Sequence, residues 1–229
     1  MLSVVVTAVV AGNEIRTAPF DSRIHNFGNV GVWGAVHAAA ASFATRVIDR
    51  YAYAGRNMRA ELAQDIRQVV PTGGSVLEIG CGVGTLTREL RDAGLVVVGA
   101  IDTSAQMVRQ ARREVPGQQF AVLNGVDAES AYADIDVVVA CMLMHELPRA
   151  AHVDLLRALL AVLKDAGQLW IVDIDPAYTP SPAMLMGEPY LLEYQETFGD
   201  TAADLAAEVG RIVRIETMVE GHVRKYVIA

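Results

Sequence analysis

The apolar run Val76-Leu77-Glu78-Ile79 leads directly into Gly80-Cys81-Gly82-Val83-Gly84-Thr85. Glycines at this spacing let a backbone turn tightly and approach a ligand with no Cβ in the way. The helix expected over Leu86–Ala93 then offers free N–H groups and a positive dipole end to a polar ligand group. A second apolar run, Val96–Ile101, ends in Asp102, 22 residues after Gly80. A carboxylate at that strand tip can accept hydrogen bonds from both hydroxyls of a ribose. Its alternative use is as a cap for a helix starting near Ser104. Glu78 is a charge inside an otherwise apolar strand, which is costly unless it is paired. His145 follows a fourth apolar run, beside Met142, Met144 and Glu146, and a histidine's range suits it to accept a proton at neutral pH.

The elements that must position these groups alternate with a steady rhythm. Ser75–Ile79, Val96–Ile101, Phe120–Leu123, Ile135–Ala140 and Gln168–Asp173 are short runs rich in Val and Ile, which predicts buried parallel strands. Helix-length segments separate them. In Ala150–Leu163, Leu155, Leu156, Leu159, Leu160 and Leu163 recur at helical spacing, and Asp165-Ala166-Gly167 ends the run. Ile212–Val219 and Val223–Ile228 flank Glu220-Gly221 as an antiparallel hairpin. The expected fold is α/β: a doubly wound, mostly parallel Rossmann-like sheet ending in a hairpin. Two amphipathic helices, near Val32–Arg50 and Arg59–Val69, precede it, and Pro71-Thr72-Gly73-Gly74 makes the join.

A glycine loop of this kind serves nicotinamide, flavin and adenosyl ligands alike. The wider pattern resembles the class I S-adenosylmethionine-dependent methyltransferases. "VLEIGCGVG" at Val76–Gly84 is similar to that family's first motif and "GAIDTSAQMV" at Gly99–Val108 to its second. "NGVDAES" at Asn124–Ser130 is similar to the adenine-contacting segment, and "DVVVACMLMHELP" at Asp136–Pro148 to the fourth strand with its active-site edge. The resemblance implies S-adenosylmethionine as cofactor, held by Glu78, Gly80, Cys81, Gly82, Gly84, Asp102, Thr103, Met107, Asp127, Ala128 and Cys141. Glu78 would anchor the methionine amine. The glycines and two helices of the first 70 residues, which lie outside the resemblance, read as an N-terminal helical lid, residues 1–70, packed on a cofactor-binding domain, residues 71–229. The competing enzyme class is a nicotinamide-dependent oxidoreductase, which usually lacks an acidic residue before "IG"; a non-catalytic cofactor-binding subunit is the third option.

Methyl transfer needs an aligned acceptor, exclusion of water and, for some acceptors, removal of a proton. His145 is the expected catalytic group. Arg23, His25, Asn26 and Tyr51 from the N-terminal segment, with Met142, Met186 and Tyr190, are candidates to touch the acceptor. Asp173 and Asp175 could bind a hydroxyl or amine or cap helices, and neither receives a role. Cys81 and Cys141 read as packing, with no metal-ligand cluster around them. Among 229 residues there are 17 Arg and 2 Lys without a basic run, against a net charge of −8. That balance excludes nucleic acid as the expected partner. Mean hydropathy is high at +0.29, but neither Met1–Gly12 nor Gly31–Ile48 reads as a membrane segment. The sequence predicts a cytoplasmic enzyme acting on a small, partly apolar molecule at oxygen or nitrogen. The oligomeric state is open, a homodimer among the options.

Overall fold

The computed structural model describes residues 31–229. Arg23, His25 and Asn26 therefore lie outside the described residues. The chain forms α1 (Gly31–Tyr51), α2 (Met58–Val69), β1 (Ser75–Ile79), α3 (Thr85–Asp92), β2 (Val96–Asp102), α4 (Ala105–Glu114) and β3 (Phe120–Val122). It continues through β4 (Ile135–Cys141), α5 (Arg149–Ala161), β5 (Leu163–Ile174), α6 (Pro182–Gly187), α7 (Leu191–Glu208), β6 (Val213–Val219) and β7 (Val223–Ile228). One seven-stranded sheet has the order β3-β2-β1-β4-β5-β7-β6. β1 to β5 are parallel, and β7 is antiparallel to both β5 and β6. The strand order reverses between β1 and β4, the topological switch point where open α/β sheets bind ligands.

Both faces of the sheet are covered, which is why its central strands are apolar without alternation. Leu77, Ile79, Val138, Leu169 and Ile171 pack with α5 and α7 on one face. Val76, Val97, Val137, Val139 and Trp170 pack with α2 and α3 on the other. In α2, Met58, Leu62, Ala63 and Ile66 are fully buried in that second layer. α2 thus packs into the core on that face of the sheet. α1 is different: Ala38 packs on Val83 of the glycine loop and Met107 of α4, while Val32, Val36, Phe43 and Tyr51 face solvent.

The turn expected at Asp165-Ala166-Gly167 is instead a bulge inside a longer β5. Ile135 pairs with Leu163 and Val137 with Gln168, so the intervening residues of β5 loop out of register. Gly167 is required there, because a Cβ would stand 2.6 Å from the Ile135 carbonyl oxygen. Among the described residues no helix is long and apolar enough to cross a membrane.

Candidate active site

The glycine loop is built by backbone geometry and tied down by β2. Gly80 has φ +68, and a Cβ on it would lie 3.0 Å from the Leu143 side chain. Gly82 has φ +51 with open space where a side chain would project. Cys81 N–H donates to Ile101 O at 3.0 Å. Asp102 completes the turn: Oδ2 accepts from Gly82 N–H at 2.9 Å and Oδ1 from Ser104 N–H at 2.8 Å. The cap of α4 is Ser104, whose hydroxyl accepts from Met107 N–H. Asp102 therefore holds loop and strand tip together. Burial pushes its pKa up to about 6, although the two N–H donors oppose the shift.

Glu78 is 2% exposed and accepts a hydrogen bond from the Thr87 hydroxyl. Burial raises its pKa to about 8, against the opposing effects of Thr87 and of the Arg59 charge. A carboxyl so desolvated gains much from a cation placed against it. Burial also pushes the Cys81 thiol well up and that of Cys141 to about 12, so neither is a poised nucleophile.

Two cavities open at the switch point. The smaller, about 170 Å³, is bounded by Glu78, Gly80, Cys81, Gly82, Asp102, Met107 and Cys141. The larger, about 560 Å³, is walled by Tyr53, Met142, Ile174, Tyr178, Met184 and His222, with His145, Glu146 and Glu188 at one end. His37, Ala41, Thr45, Arg59, Met142 and Glu146 border both, so α1 and the β4 tip form the shared wall.

Residues 76–167 match a family model described as a methyltransferase domain. Over that stretch the chain is similar to methyltransferases. A trans-aconitate 2-methyltransferase of Rhodopseudomonas palustris (strain HaA2) is 34% identical over 127 residues, covering 55% of this chain and 47% of that protein. A ubiquinone biosynthesis O-methyltransferase of Chelativorans sp. is 27% identical over 151 residues, 63% of this chain and 58% of that protein. The chain spans about half the length of these relatives. A TehB-like SAM-dependent methyltransferase from Corynebacterium glutamicum shares the fold, with TM-score 0.61, 20% identity and coverage of 85% and 98%. So does the plantazolicin methyltransferase BamL, in complex with a triazolic desmethylPZN analog and SAH, with TM-score 0.62, 15% identity and coverage of 85% and 94%.

The β4 tip is shaped by a residue to which the sequence assigned no role. Asp173 Oδ2 accepts from the backbone N–H groups of Leu143, Met144 and His145 at 3.1, 2.6 and 3.3 Å. Its Oδ1 meets His145 Nδ1 at 2.5 Å and Ile174 N–H at 2.7 Å. Met142, just before this turn, has φ +57, uncommon for a side chain of its size. Burial alone would raise the Asp173 pKa, but the His145 charge and the N–H donors hold it below the ordinary value. Burial would conversely lower His145, yet Asp173, Glu146 and Glu188 outweigh it and push the imidazole up to about 9. His145 Nε2 faces Glu188 Oε2 across 3.8 Å. At neutral pH the ring is a cation with both nitrogens protonated, a hydrogen-bond donor and not the neutral base expected from an ordinary histidine. A ¹⁵N-detected titration of the ligand-free protein should show His145 protonated at both nitrogens through pH 8. In Asp173→Asn its pKa should fall by at least about one unit, because burial then acts with less opposition.

His145, Glu146 and Glu188 each bring a ligand atom within 4.8 Å of the others. The set is chemically able to take a divalent cation and is equally coherent as an ion-paired cluster. Asp175 forms a two-point pair with Arg224 at 3.0 and 2.9 Å and borders neither cavity.

Not all expected contacts meet here. Thr103 is exposed and borders neither cavity. Ala128 is fully buried in the core, and Asp127 lies on the 3-10 turn Gly125–Ser130, outside both cavities. Tyr51 is 77% exposed on the far side of α1 and Met186 69% exposed on α6; Tyr53 and Met184 face the pocket instead. Helical spacing explains the difference on α6, since neighbours two apart point to different faces; Tyr51 ends α1 and Tyr53 lies in the turn that follows it. Tyr190 caps α7 and borders neither cavity. Arg59, Glu188 and His222 escaped notice because no local motif marks them.

Proposed function

We propose that this protein is an S-adenosylmethionine-dependent methyltransferase acting on a small, partly apolar acceptor at oxygen or nitrogen. The supporting observation is the junction of the two cavities at Met142. Among the described residues, the chamber that adjoins the glycine-loop cleft and would receive its methyl group is mostly apolar. The residues fit the cofactor. Gly82 leaves open space where a Cβ would intrude, Asp102 borders the cleft with a carboxylate able to accept from ribose hydroxyls, and Glu78 is a buried carboxyl suited to an ammonium.

When bound, the cofactor supplies a sulfonium methyl group for in-line displacement. The chain's own residues bind, orient and exclude water. Glu78 takes the amine, Asp102 the ribose hydroxyls, and the loop backbone approaches between them. His145, held as a donor by Asp173, orients the electron-rich acceptor atom through Nε2–H; proximity and alignment supply the rate. α1, which borders both cavities, acts as the lid. Among the described residues Glu146 and Glu188 make the inner end of the pocket acidic. That end is mismatched to a tricarboxylate such as trans-aconitate, the substrate named for several relatives. A net charge of −8 and two thiols free of disulfide fit a cytoplasmic enzyme without nucleic-acid partners.

Calorimetry tests this. S-adenosylmethionine and its demethylated product should bind, and NAD and NADP should not; binding of NADP alone would establish the oxidoreductase. The demethylated product carries an ammonium that favours ionised Glu78, whose pKa of about 8 means the ligand-free group is largely protonated at neutral pH. Affinity should therefore rise between pH 6 and 8, with proton release visible in buffers of different ionisation heat. A pH-independent affinity would remove Glu78 from the amine site.

A further inference from the structure

A sheet that ends on a bare strand presents a row of unpaired backbone N–H and C=O groups, a template for another chain. Here one such strand is β6, last in the sheet order. Hydrogen-bond parity decides which of its groups face outward, because residues of an antiparallel pair alternate between bonding their neighbour and pointing away from it. Ile212 and Ala229 exchange bonds at 3.0 and 3.1 Å, and Arg214 and Glu216 share that parity toward β7. On the other side of β7, Asp175 N–H donates to His222 O at 2.9 Å, so Arg224, Tyr226 and Ile228 bond β5, in agreement. Val213, Ile215 and Thr217 therefore aim their backbone groups away from the sheet, and among the described residues none bonds to them.

The side chains of this edge bear on what covers it. Ile215, at its middle, is 49% exposed. Arg214 and Glu216 flank it on the opposite face. They pair with each other at 2.5 Å, and Glu216 also meets Lys225 at 2.9 Å. A second copy of β6 can pair antiparallel only if outward residues meet outward residues. A two-fold axis through Arg214 or Glu216 satisfies that but sets like charges opposite each other, which is destabilising. An axis through Val213 or Thr217 shortens the paired stretch. An axis through Ile215 sets Arg214 opposite Glu216 of the second copy, and Glu216 opposite its Arg214, in the pairs where side chains approach closest. The same register bonds Ile215 to Ile215 and Val213 to Thr217 in both directions, and it covers each Ile215 with its counterpart.

We infer that the protein self-associates through β6, two copies pairing antiparallel about Ile215 into one continuous sheet. The charge order of Arg214-Ile215-Glu216 is complementary to itself in this register, which favours a second copy over an unrelated strand. β5 and β7 separate β6 from the switch point, and no β6 residue borders either active-site cavity, so both stay open in the pair.

Sedimentation velocity of the full-length protein over a series of concentrations reads the assembly. Wild type should show a monomer–dimer equilibrium. Ile215→Pro should be mostly monomeric: the N–H it removes faces solvent in one copy, where proline is tolerated, but the dimer loses its central bonds. Arg214→Glu and Glu216→Arg, each alone, should raise the dissociation constant by at least about tenfold, because like charges replace opposite ones at both flanking pairs. An equal mixture of these two variants should recover the dimer, since every Glu then meets an Arg. Circular dichroism melts check that each variant is folded, and Arg214→Glu, at a side chain 56% exposed, serves if the proline variant is not. A wild type monomeric at every concentration overturns the inference, and protection of its Ile215 amide from hydrogen exchange would then give the edge to a segment of the same chain. A dimer that all three variants leave intact also overturns it and places the contact elsewhere, the exposed face of α1 being the first candidate. A mixture that stays monomeric overturns the register.

Discussion

Asp173→Ala is expected to destabilise the ligand-free fold by about 3–5 kcal/mol, the range for removing one partner of a buried ion pair. Asp173 is fully buried at the end of β5. Its two oxygens serve four backbone N–H groups and the Nδ1 of His145. Removing it orphans those donors and strands an imidazolium that is itself only 6% exposed. Asp173→Asn keeps the shape but not the charge, and should cost less than the alanine variant. Chemical denaturation at pH 6 measures both. The pH dependence follows from the two shifts. The Asp173 pKa is depressed, so its contribution is present above the unfolded value of about 3.9 and lost as pH falls through the folded one. His145 is raised to about 9, so its contribution is full below about 6.5 and disappears as pH rises through 9. Glu78, raised to about 8 by burial, also makes the ligand-free fold less stable as pH climbs from about 4.3 to 8. Wild-type stability should therefore decline from pH 6 to 9. Asp173→Asn should flatten that decline by removing most of the His145 part. A variant as stable as wild type, with an unchanged slope, would mean the β4 turn is held by its own backbone.

The same residue marks where sequence stops being informative. The glycine loop and Asp102 were legible because their work is done by backbone geometry within one βαβ unit, and only glycine adopts φ +68 and +51 freely at Gly80 and Gly82. The parallel strands were legible because burial on both faces removes polar residues from them. Asp173 and His145 stand 28 residues apart and meet through strand order, which no spacing encodes. Their meeting also changes what His145 is: an isolated histidine is a base near neutrality, and this one is a cation. The β5 bulge was hidden for a related reason. Asp165-Ala166-Gly167 has turn composition, but pairing with β4 recruits the flanking residues into one strand. Arg59 gave no signal because a single arginine near a helix start is ordinary until the fold seats it between two cavities.

Asp102 should show the largest effect on the cofactor. Asp102→Ala is expected to weaken S-adenosylhomocysteine binding by roughly 100-fold or more, since hydrogen bonds to a charged group contribute about 1.5–3 kcal/mol each and a ribose offers two hydroxyls. Part of that loss is indirect. The carboxylate also fixes Gly82 and Ser104 through 2.9 and 2.8 Å bonds, so the loop loses its anchor in the same substitution. Asp102→Asn separates the components. An amide has one accepting oxygen, and its NH₂ group would oppose either Gly82 N–H or Ser104 N–H, so the loop is disturbed although one ribose contact survives. If ribose binding dominates, Asn should retain a measurable part of the affinity and the 2′,3′-dideoxy analogue of the ligand should lose little further on moving from wild type to variant. If loop anchoring dominates, Asn should be as damaging as Ala, and the dideoxy analogue should weaken in step with the parent ligand. The burial-raised pKa of about 6 adds a further check: protonation removes the acceptor charge, so wild-type affinity should drop below pH 6 and the Asn variant should not follow it.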